Sequence, residues 1–204
     1  VQGEIKMCRP PKIRRSKINP VVKPKNNKRW DAILRRLPIG VKLLGAEIGV
    51  WQGKTSCRLL KARPKLELIM VDPWIVPGKD STYWKSGDDN ARKTKQQHLS
   101  DYKRTLGKVK FAGDRAKIMR MNSQQAAGLV KEQSLDFVFV DGDHSFEGVK
   151  LDIILWSGKI KKGGFMCGHD YNHPRLPGVS KAVDEMFNKS EIKLDVNRTW
   201  FVRI

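Results

Sequence analysis

Residues 135–141, LDFVFVD, carry four apolar side chains in a row after Asp136, so a strand here is buried on both faces. Such a strand needs helices above and below it, which a parallel sheet with helical crossovers supplies. From residue 30 onward the chain repeats that alternation. LLGAEIGV (43–50), LELIMVD (66–72) and AKIMRMN (116–122) read as further strands, and a Gly163–Gly164 turn leads into FMCG (165–168). Helices are expected over 30–37, over KTSCRLLKAR up to Pro64, and over 88–106, 145–156 and 179–188. The last two apolar stretches, IKLDV and TWFVRI, stand too close for a helical crossover and should pair antiparallel. The expected fold is α/β: a doubly wound, seven-stranded, mostly parallel sheet with an antiparallel last strand. It forms one domain over 30–204, with the insert 73–106 as a candidate lid or substrate-selecting segment.

Charge separates the first 29 residues from that domain. Lys plus Arg number 41 against 21 Asp plus Glu, a net charge of +20. Residues 1–29 hold ten Lys or Arg against the single Glu4, with Pro10, Pro11, Pro20 and Pro24 interrupting any helix. This is the composition of a flexible basic arm. Together with the basic stretch 79–120 it suits a polyanion or RNA partner, although no named nucleic-acid module is present and the arm's cations are not interleaved with aromatics. Cys8, Cys57 and Cys167 form no CxxC pair, which suits reduced thiols in a cytoplasmic setting. The longest apolar runs are four residues, so no membrane span or secretory core is visible. Opening on Val1 rather than Met fits a segment whose upstream neighbours lie outside this sequence.

In a doubly wound sheet, ligands gather beyond the carboxyl ends of the strands. Polar residues fall there in this chain: Glu47 near the close of strand one, Asp72 after strand two, Asn122 and Ser123 after strand three, Asp141 after strand four, His169 and Asp170 after strand five. The first turn, EIGVWQGKTS, ends like a phosphate loop. Counting back from Gly53-Lys54-Thr55, however, the first glycine of such a loop would be residue 48, which is Ile, and Glu47 would face phosphate oxygens. The dinucleotide fingerprint also fails, because Gly49 and Gly53 lack the middle glycine. A nucleotide hydrolase is therefore the weaker reading. A ligand with a carboxylate, a cationic centre and a ribose fits better, and S-adenosylmethionine has all three.

EIGVWQGKTS, LIMVDPW, RMNSQQAA, DGDHS and GGFMCGHDY arrive in an order and spacing that resembles the class I S-adenosylmethionine-dependent methyltransferases. The likeness is strongest to the branch whose strand-four motif reads like FVFVDGDHSFEGVKLDI. It runs from Gly45 to Asp170, with Trp51 where many relatives have a small residue. The resemblance implies that Glu47, Gly49 and Gly53 shape the methionine end of the pocket. Asp72 would take the ribose hydroxyls, Trp74 would lie against adenine or its entrance, Ser123 would sit near the adenine edge, and Asp141 would stand near the sulfonium; Trp51 and Asn122 would also belong to the cofactor site.

Methyl transfer to a hydroxyl needs alignment and a proton acceptor. His144, three residues after Asp141, is the candidate general base, by likeness to macrolide-sugar O-methyltransferases. Asp141 and Asp170, with His169, resemble the Mg²⁺ site of those enzymes and of the catechol type, though an imidazole is a poor Mg²⁺ ligand. The expected acceptor is a polar or anionic small molecule or sugar, with RNA as the alternative. His98 and His173 are expected at the surface.

Overall fold

A computed structural model describes residues 27–204. The basic arm expected over 1–29 therefore lies outside the described residues except at its last positions. The strands are β1 (Leu43–Ile48), β2 (Leu66–Val71), β3 (Ala116–Met119), β4 (Leu135–Val140), β5 (Ile160–Gly168), β6 (Lys193–Asp195) and β7 (Thr199–Arg203). They form one sheet in the order β3-β2-β1-β4-β5-β7-β6. Five neighbours run parallel, and β7 lies antiparallel to both β5 and β6.

Helices α1 (Arg29–Leu34), α2 (Lys54–Ala62), α3 (Thr82–Lys85), α4 (Lys95–Val109), α5 (Ser123–Leu129), α6 (Phe146–Ser157) and α7 (Pro177–Met186) cover the sheet. The period-two pattern of β4 sorts its side chains between two cores. Val138 and Val140 meet Ala126, Ile153, Trp156 and Val183 from α5, α6 and α7. Phe137 and Phe139 meet Ile33, Leu59 and Leu60 from α1 and α2 on the opposite face. Each large side chain so buried contributes about 1.5–3 kcal/mol.

Two expectations are corrected. The single helix expected over 88–106 is broken: a short 3-10 turn covers Asp89–Arg92, Lys93 is extended, and α4 starts afresh. Thr94 explains the restart, because its hydroxyl accepts from the Gln97 N–H while Gln97 returns a bond to the Thr94 backbone. Strand five is longer than expected and runs through Gly163–Gly164. Opposite Leu135 and Phe137 of β4 stand Ile160 and Phe165, so the extra residues form a bulge, and Gly163 at φ 82° turns it.

Candidate active site

The turn after β1 is held by a carboxylate from the end of β2. Asp72 Oδ2 accepts from the backbone N–H of Val50 (3.1 Å) and Trp51 (2.8 Å), and Oδ1 accepts from Trp74 N–H at 2.8 Å. Burial keeps the Asp72 pKa above the ordinary carboxylate value despite these donors. Trp51 sits at φ 51°, an uncommon conformation for a bulky residue. Its carbonyl accepts from Trp74 Nε1 (2.7 Å) and Thr105 Oγ1 (2.9 Å), and its own indole N–H donates to Asp101 at 3.0 Å. Gly49, at φ 85°, lies directly on the end of β4: a Cβ there would stand 2.2 Å from the Asp141 carbonyl oxygen.

Beyond these strand ends opens a cleft of about 320 Å³. Of the residues assigned from the sequence, it is lined by Gly49, Trp51, Asp72, Trp74, Asn122, Ser123 and Asp141. Asn122 also caps α5, accepting from Gln125 N–H at 2.8 Å. Glu47 and Gly53 are not among the lining residues. Glu47 is buried beneath the turn, accepts from the Ser56 hydroxyl, and is pushed by burial up to about 8. Gly53 opens α2 at φ 65° against Thr105. Lys54 is exposed, 5.1 Å from the centre of the Trp51 ring, and does not line the cleft as a phosphate-loop lysine would.

Three lining residues escaped the sequence reading. His98, expected at the surface, is buried in the cleft wall. Its Nε2 has no partner among the described residues, and burial lowers its pKa, leaving a neutral ring nitrogen at neutral pH. Asp152 accepts from the Ser123 hydroxyl and is pushed by burial to about 7. Its signal was present: it shares the buried face of α6 with Val149, Ile153 and Trp156. Tyr83 comes from α3 within the insert, and burial raises its pKa.

Asp141 also belongs to a second, deeper group. Its Oδ1 lies 3.5 Å from His144 Nε2 and 3.6 Å from His169 Nδ1, and Asp170 Oδ2 stands 3.3 Å and 3.0 Å from the same two nitrogens. His144 Nδ1 hydrogen-bonds Asp88, which no sequence signal linked to this place. Arg29, the first residue of α1, donates to Asp141 and has a nitrogen 3.4 Å from His169 Nδ1. Burial opposes a charge on His144, but Asp141 and Asp88 outweigh it and lift the pKa to about 10. These neighbours favour the protonated imidazole, the form opposite to the one from which the expected general base would start.

Residues 46–171 match the family described as a methyltransferase domain, well over half of the chain. The chain belongs to that family. The methyltransferase is also 24% identical over 146 residues to an uncharacterized mimivirus protein, R132 of Acanthamoeba polyphaga mimivirus; the match covers 69% of this chain and 59% of that protein. Among solved structures it resembles the O-methyltransferase NovP, at TM-score 0.58 and 17% identity over 85% of this chain and 74% of that one. It also resembles the SAH-bound Podospora anserina methyltransferase PaMTH1, at TM-score 0.54 and 12% identity over 78% and 70%. At such identities the likeness shows a shared methyltransferase fold. The chain spans less than two thirds of the length of the curated relative it matches. Among the described residues, no helix of the methyltransferase is long and apolar enough to cross a membrane.

The metal expectation changes in its ligands. Ligand atoms of Asp141, His144 and Asp170 lie within 4.8 Å of one another, so His144 takes the place expected for His169. Two carboxylates and an imidazole suit a divalent ion with some affinity for nitrogen, such as Mn²⁺, better than Mg²⁺. The donor set fits such an ion only when Arg29 leaves Asp141 and His144 gives up the proton on Nε2.

Proposed function

We propose that the methyltransferase transfers a methyl group from S-adenosylmethionine to an oxygen acceptor on a polar or anionic small molecule or sugar. One observation carries this reading: Asp141 lines the cleft and also belongs to the Asp88–His144–Asp170 cluster. A donor in the cleft would thus present its methyl beside groups that hold and move protons. Asp72 fixes the turn on which the donor rests, and Ser123 and the unpaired His98 nitrogen offer polar contacts to its flat end. His144, as an imidazolium, orients Asp141 and Asp170 and stabilises the oxygen anion that forms as the acceptor loses its proton. A carboxylate of the cluster then receives that proton. A divalent ion, held by Asp141, Asp170 and His144 once its Nε2 has lost its proton, would supply Lewis acidity to the acceptor oxygen in place of the imidazolium.

Calorimetry with S-adenosylhomocysteine should show one site. Asp72→Ala removes the acceptor for three backbone N–H groups and should weaken that site about a hundredfold. Equal affinity in the variant would remove Asp72 from the donor site. Acceptor class is read by labelled methyl transfer to sugars, phenols and nucleotides, each with and without chelator; transfer to nitrogen or carbon acceptors alone would overturn the oxygen assignment. Arg29→Met frees Asp141, and Mn²⁺ titration of that variant should give affinity about tenfold tighter than the parent protein. Identical titrations would show that Arg29 does not compete for the carboxylate.

A further inference from the structure

Helix α2 contains no acidic residue, and its exposed cations Lys54, Arg58 and Lys61 stand at i, i+4 and i+7, which places them in one row along the helix. Each lies over a different aromatic ring brought from elsewhere in the chain. Lys54 Nζ is 5.1 Å from the centre of Trp51, Arg58 Cζ is 5.8 Å from that of Trp30, and Lys61 Nζ is 5.3 Å from that of Phe111. Trp51 is 37% exposed and Phe111 48% exposed. The three rings come from the first turn, from α1 and from the helical turn after α4, so the fold alone creates this strip. The row spans about 10 Å at 1.5 Å per residue, and its Trp51 end is the rim of the cleft.

The charge continues onto α4, which packs against α2. Its Lys103 and Arg104 are exposed, and Lys108 Nζ donates to the Gln52 carbonyl at the head of α2. The acid on α4, Asp101, is buried and paired with Lys93. Besides burial, the neighbouring Lys54 and Arg104 lower the Lys108 pKa, a sign that these cations lie close together, with the buried Asp101 acting against them. One exposed acid, Asp114, lies in the same helical turn as Phe111.

We infer that the α2 row is a docking strip for a single-stranded polynucleotide, whose phosphates meet Lys54, Arg58 and Lys61 while a base stacks on the half-exposed Phe111 ring; Trp51, already approached by Lys54 and by Lys93 at 4.5 Å, bounds the strip at the cleft. A row of cations beside a half-exposed ring fits a chain that alternates phosphate and base. An acidic peptide would use the cations and leave the ring idle. A membrane surface would call for exposed aliphatic side chains, and the exposed residues of α2 are all Lys or Arg. The inference is independent of the acceptor assignment.

The test is fluorescence anisotropy of a labelled twelve-residue single-stranded RNA with the full chain, so that residues 1–28 contribute equally to every variant. Lys54→Gln/Arg58→Gln/Lys61→Gln should bind at least tenfold more weakly. Its plot of log affinity against log salt should be shallower by about 2, from three contacts at about 0.7 each. Phe111→Ala should bind about five- to a hundredfold more weakly with the salt slope unchanged, because stacking releases no counterions. S-adenosylhomocysteine binding should be the same in all of these proteins, which certifies the fold and separates this result from any failure of the methyl-transfer reading. Unchanged affinity and slope in the triple variant would overturn the strip. So would unchanged affinity in Phe111→Ala, or displacement of the RNA by polyglutamate or anionic vesicles at lower charge concentration than by unlabelled RNA.

Discussion

Gly49→Ala is expected to lower stability by about 3–5 kcal/mol and to abolish S-adenosylhomocysteine binding. Two effects add. The residue sits at φ 85°, where any Cβ is strained by about 1–2 kcal/mol. That Cβ would also stand 2.2 Å from the Asp141 carbonyl oxygen, a backbone atom that no side-chain rotation can move away. The clash separates the first turn from the end of β4, where Asp141 N–H donates to the Ile48 carbonyl at 2.7 Å. Since whole domains are stable by about 5–15 kcal/mol, the urea midpoint should fall by about a fifth or more. A midpoint within error of the parent protein would mean that the turn does not rest on β4.

The second large effect is a decline in stability as pH rises. Glu47 is lifted by burial from an ordinary 4.5 to about 8. The folded protein therefore holds a proton that the unfolded chain has released, and this contribution is whole below pH 4.5 and lost on the way to pH 8. Over that window the loss is about 1.4 kcal/mol per pH unit. Asp152, lifted to about 7, acts in the same direction at slightly lower pH. His144, lifted to about 10, adds stability below its ordinary 6.5 that disappears as pH rises through 10. The slope should be steepest near neutrality, where the three windows meet. Glu47→Gln can still accept from Ser56 and carries no titrating proton, so its urea-derived stability between pH 5 and 8 should run flatter by about 1.4 kcal/mol per unit. Parallel curves would show that Glu47 is ionised in the folded protein.

How far the sequence disclosed this site depends on the kind of interaction. The strands, their directions and the cleft were accessible because apolar periodicity and strand-end polarity are local signals: Asp72, Asn122, Ser123 and Asp141 all reach the cleft wall. Contacts made across long separations were not accessible. Arg29 meets Asp141 across 112 positions, and Asp88 meets His144 across 56, with nothing in either local pattern to announce them. The protonation of His144 is set jointly by Asp141 of its own motif and by Asp88, and only the first of these was legible in the local pattern. His98 was misplaced because a lone histidine in a polar stretch resembles a solvated one, whereas the restart of α4 at Thr94 turns it inward. The aromatic partners of Arg58 and Lys61 on α2 arrive only when α1 and the segment after α4 meet around that helix.

Both margins of the sheet are brief. β3 has four residues and β6 three, and each carries a lysine, Lys117 and Lys193. A margin that short offers few unpaired backbone groups, and its positive charges repel an identical margin on another molecule. The described domain is thereby guarded against ribbon-like self-association, even though its centre is built from four unbroken apolar residues that would invite it if laid bare.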